Sequence, residues 1–200
     1  MTQPRVAGWM GMPTPYTDFE FNRTKLREAI LYFSEKARDD LAYGTTRLYK
    51  QLFAADFWAF QLFGAPLTGT TYVRDRYGPR PDVSQGLDTL ERMQADGTLE
   101  IAQVSGSWAN MPVPKGQSKA DLDIFTQAER RVLEIVARAF EYQPAWAVSE
   151  WTHEFPGWKF AQTGEPIPYA TAYMWRDEDV SQDDMAWAYQ EQRSLFHQLT

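Results

Sequence analysis

Apolar residues recur every three or four positions through most of the chain, and each stretch with that spacing predicts a helix. The first begins near Asn22, a residue suited to capping, and carries Leu26, Ile30, Phe33 and Ala37 on one stripe. Gly44 interrupts the pattern. Thr45 or Thr46 is then expected to cap a second helix running to about Phe63, with Leu48, Leu52, Ala55, Ala59 and Leu62 on one side and Phe53, Phe57 and Phe60 beside them. An apolar arc that wide predicts a central helix. Gly64 and Pro66 end it.

A short strand is predicted around Thr71–Arg74, followed by a fixed turn at YGPRP, Tyr77–Pro81. Val83–Ala95 reads as a third helix with Leu87, Leu90 and Met93 inward, closed by a turn at Asp96-Gly97. Thr98–Val104 and Trp108–Val113 read as the two strands of a hairpin turning at Ser105-Gly106-Ser107, and Lys115–Asp121 as a polar loop. Thr126 and Glu129 have capping-box spacing. They predict a helix over about Gln127–Tyr142 with Val132, Ile135, Val136, Ala139 and Phe140 buried. A short helix, Ala145–His153, and a Pro- and Gly-rich loop, Phe155–Tyr169, follow. The acidic run Asp177–Asp179 then precedes a last helix, Gln182–Leu199, where Ser181 and Asp184 repeat the capping spacing. The expected fold is mainly α within the α+β class: a compact helical domain over 22–176 with a small antiparallel β-hairpin. Residues 1–21 form an extended N-terminal arm, and 177–200 a C-terminal helix packed on or extending the domain.

Composition narrows the function. At 200 residues and 44% hydrophobic the chain can bury its own core, and eight Trp and twelve Phe leave aromatic side chains over for a surface. The absence of cysteine excludes disulfides, thiolate zinc sites and thiol nucleophiles. Met1–Pro15 has no uninterrupted apolar stretch of signal-peptide length, and no window has the run of apolar residues a membrane helix needs, so the expectation is a cytoplasmic protein without membrane contact. A net charge of −7 makes nucleic acid an unlikely partner and suits a basic one, although Arg74, Arg76 and Arg80 could form a local basic patch.

Candidate chemistry is sparse. There is no phosphate loop, nucleophile elbow or dinucleotide fingerprint. Glu150 and His153 are three apart and would share a helical face. The unrepeated pair falls short of a carboxylate-bridged metal site, and a structural role for His153 is favoured over catalysis. His197, near the chain end, reads as a solvated helix residue. No catalytic residue, metal ligand or cofactor is assigned, and the chain is expected not to be an enzyme. Asp56 is more informative: it lies on an apolar stripe between Leu52 and Phe60, where an acid is costly unless bonded. It is expected to be an anchor for a cation or for loop amides, with Arg74, Arg76 and His153 as candidate partners. Trp146, Trp151, Trp158, Tyr169, Tyr173 and Trp175 crowd into thirty residues, and core and contact-surface readings of them stand level.

Several segments together resemble one family. YKQLFAADF, Tyr49–Phe57, is similar to the Lys–apolar–apolar–aromatic–x–Ala–Asp helix of the Panacea domain of SocA-like antitoxins. GAPLTGTTY, Gly64–Tyr72, resembles that family's Gly-x-Pro-Leu/Ile-Thr-Gly-x-x-Tyr segment, and YGPRP its Gly-Pro-x-Pro turn. TQAERRVLEIV, Thr126–Val136, EWTHEFPGWKFA, Glu150–Ala161, and GEPIPYATA, Gly164–Ala172, follow in the family's order. Gln51 stands where the family often has Leu. The resemblance covers about residues 22–175 and implies an antitoxin that neutralises a cognate, translation-inhibiting protein toxin by direct binding. It also implies, as an alternative, an adaptor that delivers the toxin to a cellular protease. A third reading, from another class, is a hydrolase-like enzyme using His153 and Asp56. The positions that match the family motifs, and so the candidate partner-binding residues, are Lys50, Asp56, Tyr72, Gly78, Pro79, His153 and Trp158.

Overall fold

Twelve of the nineteen residues of one helix, Thr45–Phe63 (α2), are buried, and the rest of the chain is arranged around it. The computed structural model describes residues 19–105 and 110–174. α2 ends at Gly64, whose φ of 74° is the left-handed conformation that glycine adopts without a steric penalty. Its buried face is the apolar arc read from the sequence.

The preceding helix, Arg23–Lys36 (α1), is capped by Asn22, whose side chain accepts the Lys25 amide at 3.0 Å. It buries Leu26, Ala29, Ile30 and Phe33 against the core. Phe19, just upstream, packs edge-on against Phe60 and Tyr169 at 5.5 and 5.6 Å. The rest of the expected N-terminal arm lies outside the described residues. So do the expected hairpin turn with Trp108, Trp175, the acidic run, the last helix and His197.

The structure is mainly helical with two small antiparallel sheets, one more than expected. In the first, Tyr72–Val73 (β1) pairs with Arg80–Pro81 (β2), Tyr72 opposite Pro81, so the YGPRP turn doubles as a strand. The other edge of β1 is closed from far along the chain: the Ile167 amide donates to the Tyr72 carbonyl and the Arg74 amide to the Glu165 carbonyl, at 2.8 and 2.9 Å. Val83–Leu87 is a single π-turn, not the start of an ordinary helix. The α-helical part, Asp88–Ala95 (α3), begins five residues later than the spacing predicts. Gly86 there lies against the Pro81 ring with no room for a Cβ.

The second sheet pairs Leu99–Ser105 (β3) with Asn110–Gly116 (β4), from Leu99–Gly116 to Ser105–Asn110. β4 runs three residues past the expected end at Val113, which moves Lys115 from loop to strand. Pro112 and Pro114 are tolerated because both strands of a two-stranded sheet are edges.

The capping box of Gln127–Ala139 (α4) forms as read, with Thr126 and Glu129 bonded reciprocally. Its buried stripe forms in part. Val132, Leu133, Val136 and Phe140 face inward, while Ile135 and Ala139 face outward. Counting Ile135 and Ala139 into the stripe in place of Leu133 tilted the expected face to one side of the buried one. Ala145–His153 (α5) matches the expected helix. The segment expected as a loop after it holds one more, Pro156–Phe160 (α6), started by a proline at its first turn. No helix among the described residues is long and apolar enough to cross a membrane.

Candidate functional site

The family-motif positions collect in two buried clusters along α2. The first surrounds Asp56, which is fully buried. One carboxylate oxygen accepts the Thr68 amide at 2.5 Å, and the other accepts the Thr68 hydroxyl at 2.6 Å and the Tyr72 hydroxyl at 2.7 Å. The Thr68 hydroxyl also lies 2.7 Å from that of Thr70, and Tyr169 donates to the Thr70 carbonyl at 2.5 Å. Asp56 thus gathers the loop that follows its own helix, the strand β1 and, through Thr70, a segment a hundred residues on.

None of these donors is a cation. Burial therefore raises the Asp56 carboxyl to about 6, against the lowering effect of the hydrogen bonds from Thr68, Tyr72 and Gly69. The same burial, with the Asp56 charge beside it, pushes the Tyr72 hydroxyl well up. The cationic partners expected for Asp56 are engaged elsewhere. Arg74 lies with its guanidinium 4.4 Å from the centre of the Trp158 ring and donates to the Ala161 carbonyl at 2.5 Å. Arg76 lies over Tyr77, and His153 stacks on Trp158. The loop at Thr68 folds straight back over α2, so its own amide and hydroxyl reach Asp56 before any distant side chain.

The second cluster surrounds Lys50, 2% exposed. Its ammonium donates to the Pro79 carbonyl at 2.6 Å, fixing the turn between β1 and β2. Gly78, at φ 94°, sits so close that a Cβ would overlap the Thr152 hydroxyl and come within 2.8 Å of the Lys50 side chain. Burial lowers the Lys50 amine to about 7, with the Asp75 charge opposing. The His153 ring is parallel to Trp158 at 4.1 Å, and the Trp158 indole donates to the Asp75 carbonyl at 3.1 Å. Burial, then the Lys50 charge, lowers the His153 imidazole. Lys50, Gly78, Pro79, His153 and Trp158 therefore form one unit, and Asp56 and Tyr72 a second. Phe53 lies edge-on to Tyr72 of the second unit at 5.5 Å and to Phe155 at 5.1 Å.

A scan against protein-family models matches residues 48–159 to the family described as Antitoxin SocA-like, Panacea domain. The chain belongs to this family. No curated protein and no solved structure matches it. The matched span of the Panacea domain begins inside α2 and ends just past Trp158, so it encloses both clusters.

The clusters have the chemistry of fasteners. Lys50 has an amine that titrates near neutrality, but its nitrogen is buried against a carbonyl that it holds. Glu150 is exposed on the outer side of α5, and among the described residues no three metal-ligating side chains converge. The aromatic crowd divides: Tyr169 is core, Trp151 and Trp158 are half-buried, and Trp146 and Tyr173 face outward. Sequence reasoning missed Arg47, 1% exposed and paired with Asp40 at 2.5 Å. An arginine in the first turn of a helix gives no sign of burial, because the turn that covers it comes from nearly a hundred residues away.

Proposed function

We propose that this chain is the antitoxin of a toxin–antitoxin pair and neutralises a cognate, translation-inhibiting toxin by direct, stoichiometric contact in the cytoplasm. Membership of the antitoxin family carries this reading. It is supported by the family-motif residues, whose polar groups are mostly spent on holding the fold together, which leaves recognition to the outer surface.

The experiment expresses the neighbouring gene's product alone and together with this chain. Growth arrest by the neighbour, relieved by co-expression, is the expected result. The purified pair should then elute as one complex, and inhibition should follow a one-to-one titration with neither protease nor nucleotide present. Protection by trace amounts of this chain would point to an enzyme, and protection only when a protease is added would point to an adaptor.

A further inference from the structure

The hairpin of β3 and β4 has two edges, and they are unlike. The Gln117 amide donates to the Thr98 carbonyl at 2.9 Å, which fixes the phase of the ladder that follows. In an antiparallel pair, opposed residues alternate between exchanging hydrogen bonds and turning their backbone groups outward. With Thr98 bonded to Gln117, Glu100 and Lys115, then Ala102 and Val113, face each other's backbone across the pair. Ile101, opposite Pro114, and Gln103, opposite Pro112, turn theirs outward. On the β4 side both of these outward residues are prolines with no N–H to offer, and Gly116 next to them lies against Leu31 of α1. That edge is closed to a further strand. On the β3 side Ile101 and Gln103 each present an N–H and a C=O, and no hydrogen bond among the described residues reaches either backbone.

An open edge is a template for another strand, and sheets blunt theirs with prolines, charges or cover. Here the prolines stand on β4 alone. What the β3 edge can take follows from its side chains. Ile101 is half-buried against the core, so an added strand is suited to carry an apolar residue beside it. Glu100 is exposed on the other face, between Lys115 and the open edge, so the residue beside it is best basic. A second copy of β3 meets this pattern in none of its antiparallel registers. Ile101 opposite Leu99 brings the two Glu100 side chains directly together, and Ile101 opposite itself sets them on one diagonal. Ile101 opposite Gln103 faces a polar side chain. Two chains at −7 also repel, whereas a cationic partner is attracted.

We infer that the β3 edge is where the toxin docks, by adding an extended segment as a third strand of this sheet. The segment's backbone pairs with the outward groups of Ile101 and Gln103, one of its apolar side chains lies beside Ile101, and a Lys or Arg lies beside Glu100. This rests on the antitoxin reading, and the test separates the two.

The full-length, nitrogen-labelled protein is compared free and in complex with the toxin found by co-expression, and the exchange of its backbone amides is followed by NMR. In the free chain the amides of Ile101 and Gln103 should exchange at least about tenfold faster than those of Glu100 and Ala102, which face β4. In the complex, Ile101 and Gln103 should slow at least about tenfold while Glu100 and Ala102 change less. Unaltered exchange at Ile101 and Gln103 in a formed complex, or an equal slowing of all four amides, overturns the inference and leaves the antitoxin reading standing. The same protection in toxin-free samples at rising concentration would give the edge to a second copy and overturn it too. Gln103→Pro removes one outward N–H, as Pro112 opposite already lacks one, and should weaken toxin binding at least about tenfold. Gln103→Thr keeps that amide and should bind as wild type. Full affinity in a folded Gln103→Pro chain sinks the inference; if that variant melts early, the exchange pattern of the wild-type complex decides. A wild-type chain that neutralises no toxin overturns the antitoxin reading and this inference with it.

Discussion

α2 buries four long polar side chains, and they fall into two pairs with opposite accounts. Lys50 and Asp56 spend their hydrogen bonds inside the molecule, on Pro79 and on Thr68 and Tyr72. Arg47 and Gln51 each keep one atom unmatched among the described residues. Arg47 also staples distant turns to the helix, through Asp40 and Gln143, so what sets the second pair apart is the one sealed atom that each leaves without a partner. Family-motif residues belong to the first kind. What distinguishes one toxin from another is expected on the exposed surface, outside both pairs.

The comparison predicts that damage on the Asp56 side appears as lost stability. Asp56→Ala strands the Thr68 amide and the Tyr72 hydroxyl and should cost about 4 kcal/mol in denaturant unfolding. Asp56→Asn should cost about 1 kcal/mol, because the amide keeps one acceptor and the two hydroxyls can turn to accept. Toxin binding, measured well below the melting temperature, should survive in both. Lost binding with an unchanged melting point would put Asp56 on the partner's side and break the division.

Gly78→Ala comes next. It adds a Cβ against Thr152 and Lys50 at a positive φ, in a turn whose carbonyl Lys50 holds. The expected loss is about 3 kcal/mol, read as a fall in melting temperature. An unshifted melting curve would mean that the turn is free to move and that Lys50 does not hold it.

The third test uses pH. The folded Lys50 amine titrates at about 7, well below its ordinary 10.5, so the unfolded chain binds more protons between those values. Stability from this group is full above the unfolded value and is lost as pH falls through the folded one. The wild-type protein should gain roughly 2 kcal/mol between about pH 7 and 9, and Lys50→Met should flatten that rise. Asp56 works the other way: its raised carboxyl stabilises the fold most under acid conditions and loses that contribution as pH rises through about 6. Acidification from neutrality should therefore narrow the gap between wild type and unfolded chain less in Asp56-containing protein than in Asp56→Asn.

The extent to which this was legible in the sequence follows from how local each signal is. The apolar arc of α2, its glycine stop and the Thr126–Glu129 cap depend on neighbours three or four residues apart, and these are found as read; the threonine cap expected for α2 is not, because Gly44 precedes the helix and no side chain caps it. Asp56 was legible as an anomaly because its apolar neighbours are local. Its donors were not, since choosing Thr68 over Arg74 requires knowing how the chain leaves Gly64. β2 was hidden inside a turn motif, and the π-turn at Val83–Leu87 is set by contact between Gly86 and Pro81, which no periodicity records. Arg47 was the least legible: it looks like an ordinary helix-surface residue until the turn at Tyr142 and Gln143 is brought over it.

The smallest expected effect is also the sharpest test of the division. His153 is half-buried, stacked on Trp158, and its Nε2 has no hydrogen-bond partner among the described residues. By that atom alone it resembles Arg47 and Gln51, yet by position it belongs to the Lys50 cluster. Its ring adds stacking to Trp158, whose indole is already held by the Asp75 carbonyl and whose face is covered by Arg74. His153→Ala should therefore cost only about 1 kcal/mol, because those other contacts keep Trp158 in place. His153→Phe retains the stack and should recover most of that loss. Neutralisation by either variant should equal wild type once the proteins are compared at temperatures equally far below their melting points. If His153→Phe melts like wild type and still fails to neutralise, the imidazole nitrogen is recognised by the partner. The partner-facing surface of the domain would then include α5.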